Sequence, residues 1–214
     1  MKLPAPSPLR TRRLEMVPAT AAHLRAELSD RAAFARMLGA RVPDVWPPPL
    51  YDRRAVKYSF KKLLAAPRRA GWSTWYLLLR QDAAPVLAGI CGFKGPPQEG
   101  VVEIGYSILR RFQRRGLATE ATAALVRWAF SHPRISLVIA HTLTELTPSI
   151  RVLEKLGFVQ RGTPLEEGAI RFEVAREEFL NCHSEEHGSV AQGFSPESRS
   201  DRAARPATQK GFSP

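Results

Sequence analysis

Residues 101–130 constrain the fold of this chain more than any other stretch. Val101-Val102-Glu103-Ile104-Gly105-Tyr106-Ser107-Ile108 alternates as a strand does. Arg110-Arg111-Phe112-Gln113-Arg114-Arg115-Gly116 follows, and Leu117, Ala121, Leu125, Trp128 and Ala129 then recur at the spacing of a helix facing a core. A strand, a basic glycine-bearing turn and a helix together make an anion cradle. The helix N-terminus leaves backbone N–H groups without acceptors, and its dipole favours negative charge. Gly116 lets the backbone approach a phosphate without a Cβ in the way, and the arginines add cationic donors.

The spacing narrows the choice of anion. The turn is neither the G-x-x-x-x-G-K-[ST] of a P-loop nor the G-x-G-x-x-G of a dinucleotide fold. Gln113-Arg114-Arg115-Gly116-Leu117-Ala118 resembles the [QR]-x-x-G-x-[GA] signature of the GNAT acetyltransferases. Glu103 to Ile108 is similar to the strand that enters this turn in that family. Pro148-Ser149-Ile150-Arg151-Val152-Leu153-Glu154-Lys155-Leu156-Gly157-Phe158 looks like its helix ending in Gly-Phe, and Thr11 to Thr20 like its opening strand and helix start. The pieces keep the family's order from Leu9 to Phe179, and the RimJ/RimL-type branch of ribosomal-protein N-terminal acetyltransferases is the most similar.

The resemblance implies an α/β (α+β) fold with a mixed, mostly antiparallel sheet, splayed at one parallel strand pair and flanked by helices. It implies acetyl-CoA as cosubstrate and no metal. The pyrophosphate would lie on Gln113, Arg114, Arg115, Gly116, Leu117, Ala118 and Thr119. The pantetheine arm would lie between Val101–Ile108 and Ser136–Leu143, with a backbone N–H near Ile108 facing the thioester carbonyl. The implied activity is acetyl transfer to a primary amine by direct attack on the thioester. The amine would belong to a protein N-terminus, a ribosomal protein included, or to a small molecule. Two other classes remain open: a non-catalytic coenzyme-A-binding sensor, and a basic RNA- or ribosome-associated protein.

Composition limits these classes further. The 214 residues suit one domain with extensions, and 44% hydrophobic content is ordinary for a globular chain. No run of apolar residues is long enough to span a membrane, and prolines 4, 6 and 8 argue against a secretory signal. A cytoplasmic location and a monomer or homodimer are expected. The two cysteines, Cys91 and Cys182, fit a reduced setting and give no metal site. The net charge of +12 suits an anionic partner such as coenzyme A or a ribosomal surface, or a merely solvated basic surface. Neither zinc-finger spacing nor an RNP pattern appears, so nucleic-acid binding is not expected as the main function.

Along the chain, residues 1–8 read as a disordered leader, 9–180 as the acetyltransferase domain and 181–214 as a disordered tail with two Gly-Phe-Ser-Pro tetrapeptides. Leu14 to Val17 is a strand. One or two helices run from a Thr20 cap to Gly39, and Pro47-Pro48-Pro49 lies in a rigid loop. A helix spans Asp52 to Ala66 with Val56, Phe60, Leu63 and Leu64 on one face. Strands follow at 73–80, 85–94 and 101–108, then the cradle and its helix. A strand at 136–143, a helix capped by Thr147 with Pro148 first, and strands at 158–162 and 169–175 complete the domain.

Glu103 is the candidate general base or substrate contact: on a period-2 strand it shares a face with Gly105 and Ser107. In the resembled branch a serine at the start of the last helix lies near the coenzyme sulfur. Ser149 matches it, as a thiolate partner or as a helix cap. Many of the family carry a tyrosine where this chain has Leu153, and the branch's usual asparagine is Leu146 here. Trp46 and Tyr51 line the acceptor pocket or seal the core beneath the proline loop. His141 is expected to be packed or hydrogen-bonded rather than catalytic, and Arg151 and Lys155 form a solvated face.

Overall fold

The computed structural model describes residues 6–164 and 168–183. Most of the expected leader, and the tail from residue 184 onward with both tetrapeptides, lie outside the described residues. The strands are β1 (Leu9–Arg10), β2 (Leu14–Pro18), β3 (Thr74–Leu79), β4 (Val86–Phe93), β5 (Val101–Ile108), β6 (Leu137–Leu143), β7 (Val159–Gln160) and β8 (Ala169–Ala175). The helices are α1 (Ala21–Ser29), α2 (Arg31–Leu38), α3 (Arg53–Ala65), α4 (Leu117–Phe130), α5 (Thr147–Lys155) and α6 (Arg176–His183). The sheet order is β1-β2-β3-β4-β5-β6-β8-β7, and among these pairs only β5–β6 is parallel.

Local chemistry explains most boundaries. Asp30 resolves the stretch from Thr20 to Gly39 into two helices. Its N–H ends α1 on Ala26 O at 2.7 Å, and its carboxylate caps α2 by accepting from Ala33 N at 2.9 Å. Gly39 closes α2 in the left-handed region at φ 58°. Thr74 to Leu78 are all buried, because helices cover both faces of β3. Leu14, Trp75, Ile104, Leu125 and Phe179 belong to the core on the α4–α6 face. Leu24, Phe34, Val56 and Tyr76 belong to the core on the α1–α3 face.

Three expectations are corrected. Thr147 does not cap α5. It is the first helical residue, and Pro148 comes second. Leu146 stands at the cap position with no side-chain bond. The backbone closes that end instead: Ser149 N and Ile150 N both donate to Leu146 O, at 2.8 and 3.1 Å. Leu64 leaves its stripe and is 56% exposed, since Val56 and Leu63 already fill the buried face of α3. Finally, α6 runs to His183, past the expected boundary at 180. Phe179 anchors it, fully buried beside Phe130 at a ring distance of 5.7 Å.

β5 and β6 position the site. They pair only at Val101–Leu137, Val102–Val138 and Glu103–Ile139, so beyond Glu103 the two strands part while each keeps its outer neighbour.

Candidate active site

The parting strands leave backbone groups facing the gap. On β4 the bonds Lys94 N to Glu103 O and Leu109 N to Ala88 O (both 2.9 Å) fix the antiparallel alternation. Tyr106 and Ile108 therefore turn their N–H and C=O away from β4, toward β6. By the same alternation against β8, His141 and Leu143 turn theirs toward β5. Gln113 Nε2 meets Ile108 O at 2.9 Å, bracing the end of the strand. The Ile108 N–H thus faces the gap. An extended ligand bearing amides matches such a pair of unpaired strand edges.

The cradle closes one end of this gap. Gly116 is the N-cap of α4 at φ 73°, and Arg114 also adopts a positive φ of 60°. The first helical bond runs from Glu120 N to Gly116 O at 3.0 Å, so Leu117, Ala118 and Thr119 have no intrahelical acceptor. Gln113, Arg114, Arg115 and Gly116 are exposed, whereas the Leu117 side chain is buried in the core. Leu117 therefore offers its backbone alone. Arg13 supports the turn from beneath, donating from Nη1 to Arg115 O at 2.7 Å and from Nε to Glu120 Oε2 at 2.7 Å. These donors fit a pyrophosphate.

A cavity of about 240 Å³ occupies the gap, lined by Tyr106, His141, Ser149 and Leu153 among others. On its α5 side, Tyr106 OH lies 3.0 Å from Ser149 O and 3.1 Å from Ser149 Oγ. Ser149 is thus a gap residue and not a cap. Leu153 replaces the family's usual tyrosine, but a phenol stands here all the same, supplied by β5. Burial, against the Ser149 hydrogen bond, pushes the Tyr106 hydroxyl up to about 12, so it is a proton donor at neutral pH.

On the opposite side, His141 Nδ1 lies 2.9 Å from Glu103 Oε1, and Lys94 Nζ forms an ion pair with the same oxygen. The side chains of His141 and Glu103 are only 9% and 14% exposed. His141 Nε2 is buried with no hydrogen-bond partner. With Nδ1–H donating to the carboxylate, Nε2 keeps its lone pair. Arg171, opposite His141 across β6–β8, donates to Glu173 at 2.9 Å, while its Nε also lacks a partner. Sequence reasoning expected His141 to be packed or hydrogen-bonded rather than catalytic; it is buried and bonded, and the pairing with Glu103 was missed. The signal was available: a parallel register places Glu103 beside Ile139, two residues from His141.

Trp46 and Tyr51 both reach the core beneath the proline loop. Trp46 Nε1, Tyr51 OH and Tyr76 OH all donate to Glu27, at 2.8, 3.2 and 2.6 Å. Burial raises the Glu27 carboxyl above its ordinary range, with the three donors opposing it. Tyr51, 4% exposed, also touches a larger cavity of about 630 Å³ between α3 and the β4–β5 surface. Ser107 Oγ donates to Pro49 O and ties the proline loop to β5. Arg151 and Lys155 are exposed, as expected. Cys91 is buried and Cys182 exposed, and neither forms a disulfide. Among the described residues, no cluster of His, Cys, Asp or Glu is placed to hold a metal ion, and no helix is long and apolar enough to cross a membrane.

The sheet is mixed, opened at one parallel pair with a glycine-bearing turn at the end of the opening and flanked by helices, as in the acetyltransferase folds. The chain belongs to the GNAT acetyltransferase family: the model of the acetyltransferase (GNAT) domain matches residues 13–159. Among similar proteins, the uncharacterized N-acetyltransferase YjdG of Bacillus subtilis is 31% identical over 106 residues, 49% of this chain and 62% of that relative. The chain thus spans less than two thirds of that relative's length. The FsC-acetyl coenzyme A-N(2)-transacetylase of Aspergillus fumigatus is 26% identical over 202 residues, covering 84% of this chain and 81% of its own. A Vibrio cholerae structure, proposed to be a ribosomal-protein-serine acetyltransferase, shares the fold at TM-score 0.56 and 17% identity, over 81% of this chain and 99% of that one.

Proposed function

We propose that this chain transfers the acetyl group of acetyl-CoA to a primary amine. One observation carries the reading: the gap beyond Glu103 joins the anion cradle to a buried imidazole on one side and a hydroxyl pair on the other. The coenzyme brings an activated thioester, so the chain needs only to orient the reactants and move protons. Gln113, Arg114, Arg115 and Gly116, with the N–H groups of Leu117, Ala118 and Thr119, hold the pyrophosphate. The Ile108 N–H polarises the thioester carbonyl.

Glu103 and His141 act as a pair. His141 Nε2 takes the proton from the acceptor ammonium. Glu103 fixes the tautomer and stabilises the imidazolium that forms. The freed amine forms the C–N bond as the C–S bond breaks. The hydroxyl pair of Ser149 and Tyr106 gives a proton to the leaving thiolate and is made whole by the second proton that the new amide nitrogen sheds, while His141 passes its proton to solvent. The charged groups facing His141 are Glu103 on β5, Lys94 beside it and Arg171 on β8.

A thiol-release assay with acetyl-CoA and an amine panel tests this. His141→Gln should lower kcat about 100-fold or more, with acetyl-CoA affinity by titration unchanged. Glu103→Gln should lower kcat less. Thiol release with no amine, or an unchanged kcat in His141→Gln, would overturn the reading.

A further inference from the structure

The larger cavity carries a charge pattern that bears on the acceptor. Lys62, Arg69 and Lys94 line it, and no Asp or Glu does. Glu103 neutralises Lys94. Lys62 and Arg69 form no ion pair among the described residues. Lys62 Nζ rests 5.3 Å from the centroid of the Tyr58 ring. Arg69, half-buried in the 3-10 turn Pro67–Trp72, makes no side-chain hydrogen bond among the described residues. Between these cations and the sheet the wall is apolar, with Leu63, Trp72, Ile90 and Phe93.

This cavity opens onto the gap. Leu50, Lys94, Gly105 and Tyr106 line both cavities. A Cβ built on Gly105 would meet nothing within 4 Å, so the space beside it is open. A molecule in the larger cavity can therefore present one end at Gly105, beside His141, while its other end lies toward Lys62 and Arg69.

Building on the acetyl-transfer reading, we infer that the acceptor is an anionic amine: a primary amine joined through an apolar body to a carboxylate. Arg69 and Lys62 supply charge-assisted donors for the carboxylate, and the apolar wall takes the body. The same cations disfavour an ammonium in the cavity, which helps deliver the free base that attacks. A polyamine or a lysine-rich N-terminus brings extra positive charge against a wall with nothing to neutralise it.

Three amines on one scaffold test this: para-(aminomethyl)benzoate, benzylamine and para-bis(aminomethyl)benzene. They share the reacting group and differ in the charge of the far end. Thiol release should rank them in that order, with kcat/KM for the carboxylate about 10- to 150-fold above benzylamine, as expected for a hydrogen bond to a charged group. The ratio should fall toward one in the double variant Arg69→Gln, Lys62→Gln, and narrow as salt is raised. Equal or better use of the dication, or a ratio that survives the double variant, overturns the inference. Binding of the same probes, followed by tryptophan fluorescence without acetyl-CoA, separates the two claims. A carboxylate preference that depends on Arg69 in binding, with no thiol release, upholds the charge reading and removes acetyl transfer. No charge preference in either turnover or binding removes the inference whatever the activity.

Discussion

Replacing Glu120 with Gln tests how the cradle is held. Glu120 lies in the first turn of α4, where a negative charge suits the helix dipole. It accepts from Thr11 OH at 2.6 Å, from Arg13 N at 2.7 Å and from Arg13 Nε at 2.7 Å. If the Gln oxygen keeps the first two, its NH₂ faces Arg13 Nε, donor against donor. One charge-assisted bond is lost, worth about 1.5–3 kcal/mol. The side chains of Arg13 and Glu120 are 33% and 16% exposed, so solvent screening places the loss near the lower end, about 1.5 kcal/mol. For a domain of this size that lowers Tm by about 3–6 °C. Burial raises the Glu120 carboxyl, but the bonds from Thr11 and Arg13 and the Arg13 charge outweigh it, and its folded value is depressed. Its stabilisation is therefore present above the unfolded value near 4.3 and lost as pH falls through the folded value. Thermal unfolding of the two proteins should show the gap at about pH 7, and the gap should narrow as pH falls below the unfolded value. A gap of constant size across that range, or none at neutral pH, would refute the reasoning. Acetyl-CoA affinity should fall with it, because Arg13 then braces Arg115 O less firmly.

Gly116→Val places a β-branched residue at φ 73°, where an L-residue costs about 1–2 kcal/mol. The fold should survive by circular dichroism while acetyl-CoA binding is lost. Gly105→Val puts a side chain into the open junction between the two cavities. It should leave the melting temperature within about 3 °C and abolish turnover by blocking the amine, with coenzyme binding retained. Tyr106→Phe removes the phenol from Ser149 and should lower kcat about tenfold or more, with little change in coenzyme affinity by titration.

Much of this was legible in the sequence, for local reasons. The cradle is a contiguous run whose glycine and arginines report their own geometry. Strand positions followed from alternation and turn residues, and the parallel pair from the family resemblance. The Glu103–His141 pair and the Tyr106–Ser149 pair were harder, because their members lie 38 and 43 residues apart. Only the parallel register and the parting of β5 from β6 bring them together. The Glu27 cluster gave no signal, since its donors at 46, 51 and 76 come from separate elements. The cap at Thr147 failed because the residue type was right but the backbone had already closed the turn. The helix at 176–183 shows no stripe in the sequence and runs into the composition shift at Asn181; Phe179 and the Arg176 bonds to Phe130 O, His132 O and Ile135 O hold it to the core.

The most direct test of the central claim is calorimetric titration of acetyl-CoA into the wild-type chain and into Gly116→Val. The account predicts saturable one-to-one binding to the wild type and loss of that binding in a variant that remains folded. Absence of heat with the wild type, or equal affinity for both proteins, would contradict it and leave the cradle as only a basic turn.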